Sequence, residues 1–290
     1  MTNVAIKTTA GGAFDMDAAP LNTAGVRLIV RDLNRVAPFY RDVLGLEPVT
    51  ADANRATFGG GRTPLIELVA RPDATRRDPR EAGLFHTAFL LPHRADLGRW
   101  LAHASANGVR LQGASDHLVS EAVYLSDPEG NGIEIYADRT PDRWTDAQGA
   151  IRMDTVPLNL DSLLRAAQGT VWTGFPKAGR VGHVHLQVGD IAAARAFYAD
   201  VLGFDIASSL PSAVFFGAGG YHHQLAGNVW NSRGAGRRTA NAAGLDEVRL
   251  DVADPAMLSA IAARAGRPVG PGGALELTDP WGTRLQLTAA

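Results

Sequence analysis

One stretch of this chain occurs twice, and that duplication restricts its architecture more than any other feature. Gly25–Val49, GVRLIVRDLNRVAPFYRDVLGLEPV, aligns with Val181–Phe204, VGHVHLQVGDIAAARAFYADVLGF. Asp32 matches Asp190, Phe39-Tyr40 matches Phe197-Tyr198, and Leu44-Gly45-Leu46 matches Leu202-Gly203-Phe204, each 158 positions apart. A constant offset over that many features marks an internal repeat. In the second copy Val184, Leu186 and Val188 alternate with His183, His185 and Gln187, as the two faces of a strand do. After Gly189 the period lengthens, and Ile191, Ala194, Phe197 and Tyr198 mark one side of a short amphipathic helix with Asp190 as its N-cap. A strand that hides its aliphatic face under that helix presents two imidazoles and an amide on the other. Chemistry is expected on that face.

Further strand-like segments follow each copy, and then a second kind of unit begins. It opens at GLFHTAFLL, continues through a helix over residues 96–107, and closes with AVYLSDPEGNGIEIYAD. DPEGN reads as a hairpin turn, in which Pro128 presets φ and Gly130 accepts a positive φ. The last unit repeats this plan with GLDEVRLDV, a helix over 255–265, and LELTDPWGTRLQLT, whose turn spans Asp279 to Gly282. The chain therefore reads as an α+β protein of four βαβββ modules paired into two curved-sheet domains. Residues 1–22 are expected to form a tail, 23–139 the first domain, 140–179 a linker, and 180–290 the second domain.

Composition narrows the function classes. A chain of 290 residues, 46% apolar and 20% charged, is that of a soluble globular protein with room for two cores. A net charge of −2 gives no electrostatic reason to expect nucleic acid. No apolar run approaches the roughly 20 residues that span a bilayer. The N-terminus has no basic start followed by an apolar stretch, so a cytoplasmic location is expected. With no cysteine, disulfides, thiolate catalysis and Cys-ligated metals are excluded, and any metal must sit on His, Asp, Glu or amides.

Strand, Asp-Leu or Asp-Ile, a helix with Phe-Tyr and Leu-Gly, more strands and the DPEGNGIE turn together resemble the vicinal oxygen chelate superfamily. That group includes glyoxalase I, bleomycin-resistance proteins and extradiol dioxygenases. SDHLVSEAVYLSDPEGNGIEIY, GHVHLQVGD and AGGYHHQLAGNVWNS are similar to its two-domain catechol 2,3-dioxygenase-like members. The resemblance implies curved sheets around cavities, with metal ligands on the first and last strands of the modules. Carried over to the second half, the ligand positions fall on His183, on His222 or His223 (His223 preferred) and on Glu247, with Gln286 on the last strand. Extradiol members take their second imidazole from the start of the fourth module and their carboxylate from its last strand, so this set would be a permuted one. In the first half the same positions hold Gly25, Glu67, His86 and Glu134. There Arg27 and Ile29 crowd the face, and the plainer reading makes His86 a hydrogen-bonded interior histidine.

Two imidazoles and a carboxylate are the facial set of non-haem Fe(II) oxygenases. The expected activity is therefore Fe(II)-dependent extradiol cleavage, by O2, of a catechol- or hydroquinone-type aromatic. His185 or His222 would serve as base, Tyr221 would hydrogen-bond the intermediate, and Trp230, Gln187 and Arg249 would contact substrate. Two alternatives stand beside it. One is a metal-free ligand-binding module of the drug-resistance type. The other is a glyoxalase-type lyase or isomerase using Mn(II), Ni(II) or Zn(II) on His183, His223, Glu247 and Gln286. Pairing of sheet edges into a homodimer is a further expectation; neither nucleic acid nor membrane is an expected partner.

Overall fold

The computed structural model describes residues 6–9, 11–61 and 63–289. The first module comprises β1 (Leu21–Val30), α1 (Leu33–Asp42), β2 (Glu47–Ala51), β3 (Arg55–Gly60) and β4 (Thr63–Ala70). The second comprises β5 (Gly83–Leu90), α2 (Arg94–Ala106), β6 (Gly113–Asp116), β7 (Ser120–Ser126) and β8 (Gly132–Asp138). The connection carries β9 (Val156–Pro157) and α3 (Leu160–Ala166). The third module has β10 (Arg180–Gln187), α4 (Ile191–Arg195) running on into a π-helical turn (Ala196–Val201), β11 (Asp205–Leu210), β12 (Ala213–Gly217) and β13 (Leu225–Asn228). The fourth has β14 (Gly244–Val252), α5 (Pro255–Ala265), β15 (Ala274–Thr278) and β16 (Arg284–Ala289). It is one strand shorter than the expected plan, because RPVGPGG, residues 267–273, places two prolines and three glycines where the missing strand would run.

The helices start where the sequence places their caps. The carboxylates of Asp32, Asp190 and Asp254 accept from the backbone N–H of Arg35, Ala193 and Met257. Each hairpin turn is built on an aspartate. Asp127 Oδ1 accepts from the N–H groups of Glu129 and Asn131, and Asp279 Oδ1 from those of Trp281 and Thr283. The repeated tyrosine of each Phe-Tyr pair then reaches the turn of the next module. Tyr40 Oη donates to Asp127 at 3.2 Å and Tyr198 Oη to Asp279 at 2.8 Å. Helices thus tie module one to two, and module three to four.

The sheets join modules differently, across the two halves. One has seven strands in the order β15-β16-β14-β1-β4-β3-β2. The other has nine, β11-β12-β13-β10-β5-β8-β7-β6-β9. Module one therefore shares a sheet with module four through the antiparallel β1–β14 pair, and module two with module three through β5–β10. A single cluster of buried aliphatic and aromatic side chains runs through all four modules. The Thr23 hydroxyl, donating to the Val181 carbonyl at 2.9 Å, stitches one sheet to the other. The described part of the tail packs on the body: Phe14, Met16 and Ala19 form a satellite core with Val119, Trp144 and Tyr221. Among the described residues no helix is long and apolar enough to cross a membrane.

Candidate metal centre

The β10–β5–β8 seam lines up three residues in register: His183 lies opposite Ala88, and Ala88 opposite Glu134. His86 stands one pleat from Ala88 on the same face, opposite His185. The fully buried methyl of Ala88 leaves a gap over which the longer side chains converge. One ligand atom each from His86, Glu134 and His183 falls within 4.8 Å of the others. His86 Nε2 and His183 Nε2 are 2.9 and 3.3 Å from Glu134 Oε2. All three residues are almost wholly buried.

These groups have the chemistry of a cation site. Burial alone would raise the Glu134 carboxyl, but the imidazoles of His183 and His86 outweigh it and hold the pKa well below the ordinary carboxylate range. Burial lowers His183 to about 4, which leaves its ring neutral and its lone pair available near neutral pH. His86 Nε2 and His183 Nδ1 are buried and make no hydrogen bond among the described residues. An imidazole nitrogen close to a carboxylate oxygen yet misaligned for a hydrogen bond fits a shared ion better than a direct pair. Two imidazole nitrogens and one carboxylate oxygen on one side of an ion can hold a divalent metal.

The cavity over this set measures about 410 Å³. Its walls are aromatic: Phe85 lies edge-on to both His185 and Trp230, with centroids 5.1 Å apart in each case. Phe215 and Leu210 face them, Tyr124 and His117 stand beside Glu134, and Met153–Thr155 of the connection close one side. His223 also lines the cavity, its ring centroid 4.1 Å from that of His183. Behind it runs a hydrogen-bonded chain. His222 Nε2 is 2.8 Å from Asp138 Oδ1, and His222 Nδ1 is 2.9 Å from His223 Nδ1.

That chain fixes tautomers. A carboxylate only accepts, so the Nε2 of His222 carries its proton and the Nδ1 of a neutral His222 accepts. His223 must then donate from Nδ1, which leaves its Nε2 unprotonated. Burial, then the neighbouring imidazoles, push the His223 pKa well below its usual value. A second chain has the same logic. His117 Nδ1 donates to the Asp154 carbonyl at 2.9 Å, so its Nε2 accepts from Tyr124 Oη at 2.6 Å. Burial, then the charge of Glu134, raise the Tyr124 phenol well above its ordinary pKa and keep it protonated.

The structure gathers His183, His223, His185 and Trp230 at one cavity. It does not bring Glu247 there. Glu247 lies on β14 in the seven-stranded sheet, opposite Arg27, and pairs with Arg27 at 3.0 Å and Arg284 at 3.2 Å. The same strand carries Arg249 away from the cavity, and β16 carries Gln286, so the four-ligand set His183, His223, Glu247 and Gln286 does not assemble. Glu67, on β4, is held by Arg27 and Arg55 in that sheet, apart from His86 and Glu134. Gln187 is buried outside the cavity, donating to the carbonyls of Pro79 and Glu81. Tyr221 and His222 stack on each other behind the cavity wall, and Tyr221 shares a hydrogen bond with Tyr136. His185 keeps its place in the wall, but its Nε2 is occupied by Asn228 Nδ2 at 3.0 Å.

Two features account for these differences. Sheet pairing across the halves exchanges the second module for the fourth, so the imidazole at the start of that module and the carboxylate on its last strand are His86 and Glu134. The turn-rich segment before β13, GGYHHQ, follows no strand alternation, and only one of its histidines faces inward. Sequence reasoning assigns no role to Tyr124, Phe85 or Phe215, and gives His117 only loop hydrogen bonding. The alternation of SEAVYLS and of GLFHTAFLL does put Tyr124 and His86 on definite faces, but it carries no information on which sheet those faces enclose.

The profile of the Glyoxalase/Bleomycin resistance protein/Dioxygenase superfamily matches residues 22–135 and 180–287. A catechol-2,3-dioxygenase of Bacillus subtilis (strain 168) is 42% identical over 225 residues, 76% of this chain and 79% of that protein. A biphenyl-2,3-diol 1,2-dioxygenase of Rhodococcus globerulus is 35% identical over 41% of this chain and 65% of that protein. The solved glyoxalase I of Zea mays superposes with a TM-score of 0.54 at 16% identity, over 93% of both chains, a likeness of fold. From the repeated modules, the curved sheets and these matches together, the chain belongs to the glyoxalase/bleomycin resistance protein/dioxygenase superfamily.

Proposed function

We propose that this protein is an extradiol dioxygenase that holds Fe(II) on His86, Glu134 and His183 and opens a catechol- or hydroquinone-type ring with O2. The observation that carries this reading is the convergence of two imidazoles and one carboxylate beneath an aromatic-walled cavity. Its 42% identity to a catechol-2,3-dioxygenase supports the reaction class. A ferrous ion there would supply Lewis acidity towards two vicinal hydroxyls and electrons for O2 chemistry.

The chain's own residues do the rest. Phe85 and Trp230 offer ring edges to a planar substrate. His223 Nε2, unprotonated and aimed at the cavity, accepts the proton of a substrate hydroxyl, and the resulting charge is spread along His222 to Asp138. Tyr124, kept as a phenol by burial and Glu134 and oriented by its hydrogen bond to His117, offers an oxygen that orients the ring's second substituent. His185 closes the wall with its Nε2 already engaged.

The test is anaerobic loading with Fe(II), followed by oxygen uptake and absorbance of the yellow ring-cleavage product with catechol. Oxygen consumption in a 1:1 ratio to product is expected. Full metal loading with no oxygen uptake on any catechol or hydroquinone would overturn the reading.

A further inference from the structure

The seven-stranded sheet repeats the geometry of the metal centre with its residues changed. Arg27 faces Glu247 as His185 faces His86, and Arg249 faces Gln286 as Ala88 faces Glu134. Gly25, opposite Arg249, stands where His183 stands opposite Ala88. So the second trough has a carboxylate in place of one imidazole, an amide in place of the carboxylate, and no side chain in place of the other imidazole. A cation set is lost. At the position of the small Ala88 it gains a guanidinium.

That guanidinium fills the room the glycine leaves. A Cβ on Gly25 would come within 2.6 Å of Arg249 Nη2. Arg249 Nε and Nη2 are both buried and neither has a hydrogen-bond partner among the described residues. These two N–H groups lie on one edge of the planar guanidinium and point the same way, which is the fork that takes a carboxylate bidentately. The trough around them has a volume of about 540 Å³, and Gln286, Thr63 and Lys177 add neutral and cationic donors. Its acids do not take the fork. Asp17 is bound to Arg180 at 2.8 Å, and Glu67 and Glu247, outside the trough's lining, act on Arg249 through their charge without hydrogen-bonding it. Burial raises Asp251, next but one along the strand, against the pull of Arg249 and Arg180. A buried, unpaired charge is costly unless a counter-ion completes it.

We propose that the trough of the seven-stranded sheet binds a small organic carboxylate, gripped by the Nε and Nη2 edge of Arg249. One planar fork suits the two coplanar oxygens of a carboxylate better than a tetrahedral phosphate. The site is separate from the metal centre and independent of what that centre catalyses.

Isothermal titration and thermal unfolding of the intact protein, with sodium acetate against sodium chloride at equal ionic strength, test this. Acetate should bind saturably and raise Tm, and chloride should not. Arg249→Met should lower acetate affinity at least about tenfold, the loss of charged hydrogen bonds. In anion-free buffer its Tm should equal or exceed that of the wild type, since a desolvated unpaired charge has been removed. Should Arg249→Met fail to fold, Gln286→Glu decides. It places a carboxylate on the neighbouring strand opposite the fork, so it should raise Tm and abolish the acetate response. No acetate response in the wild type, an undiminished one in either folded variant, or a stronger response to inorganic phosphate would overturn the proposal.

Discussion

Ala88 shows how much one small side chain decides. It stands in register between His183 and Glu134, and its small side chain sets no long group between them. Glu134→Gln keeps the shape and removes the anionic oxygen, so metal affinity should fall by more than about 100-fold, read by elemental analysis after dialysis. His86→Ala should do the same. If either variant retains a full equivalent of metal, the ligand set is elsewhere. His223→Gln tests the base: metal content should stay whole while kcat falls about 100-fold with little change in KM. His222→Phe, which cannot accept from His223 Nδ1, should give a smaller loss of the same kind. At this scale the sequence was partly legible. Period-two alternation correctly pointed His183 and His185 at a cavity, and the resemblance supplied two imidazoles and a carboxylate. Which carboxylate was hidden, because Glu247 and Glu134 sit on equally good strands, and only long-range strand pairing separates them.

Among the elements, the aspartate-centred turns carry the helix-to-module contacts. Asp127 accepts from two backbone N–H groups, from Asn131 Nδ2 and from Tyr40 Oη. Asp127→Ala leaves those donors unmet and should cost about 3 kcal/mol in urea unfolding, while Tyr40→Phe should cost about 1 kcal/mol. Their protonation also has a definite sign. Burial raises Asp279 above the ordinary 3.8, outweighing hydrogen bonds from Thr283, Tyr198 and Trp281. An acid with a raised folded-state pKa binds its proton more tightly when folded. Its contribution is therefore greatest below pH 3.8 and declines as pH rises through the raised value. Unfolding free energies of the wild type minus those of Asp279→Asn should fall across that window. A difference that rises with pH would refute the assignment. These elements were the most readable part of the chain: the N-caps Asp32 and Asp190 and the DPEGN and DPWGT turns all lie where local chemistry puts them. The missing strand of the last module was not anticipated, although its prolines and glycines carry a local signal.

For the molecule as a whole, the sheets and the helices bind the modules in different pairs, so no half is complete. His86 and Glu134 come from the first half and His183 from the second. Residues 1–150 and 151–290 produced separately should each lack tight metal binding, and mixing them should restore it, which a metal-binding titration of the halves and their mixture would check. A half that binds the metal alone with full affinity would contradict the seam. This level was the least legible in the sequence. The 158-residue offset reveals that there are two copies. It is silent on whether a copy closes on itself or on its neighbour, because both arrangements bury the same aliphatic faces.

The β5–β10 seam also bears on how such a chain can change over generations. Because the three candidate ligands straddle the joint between duplicated copies, neither copy can be deleted without breaking up the set. The outer modules, freed from coordinating anything, can drift in sequence so long as they still brace the inner pair. Gly25, Glu247 and Arg249 stand at the corresponding positions of the outer pair.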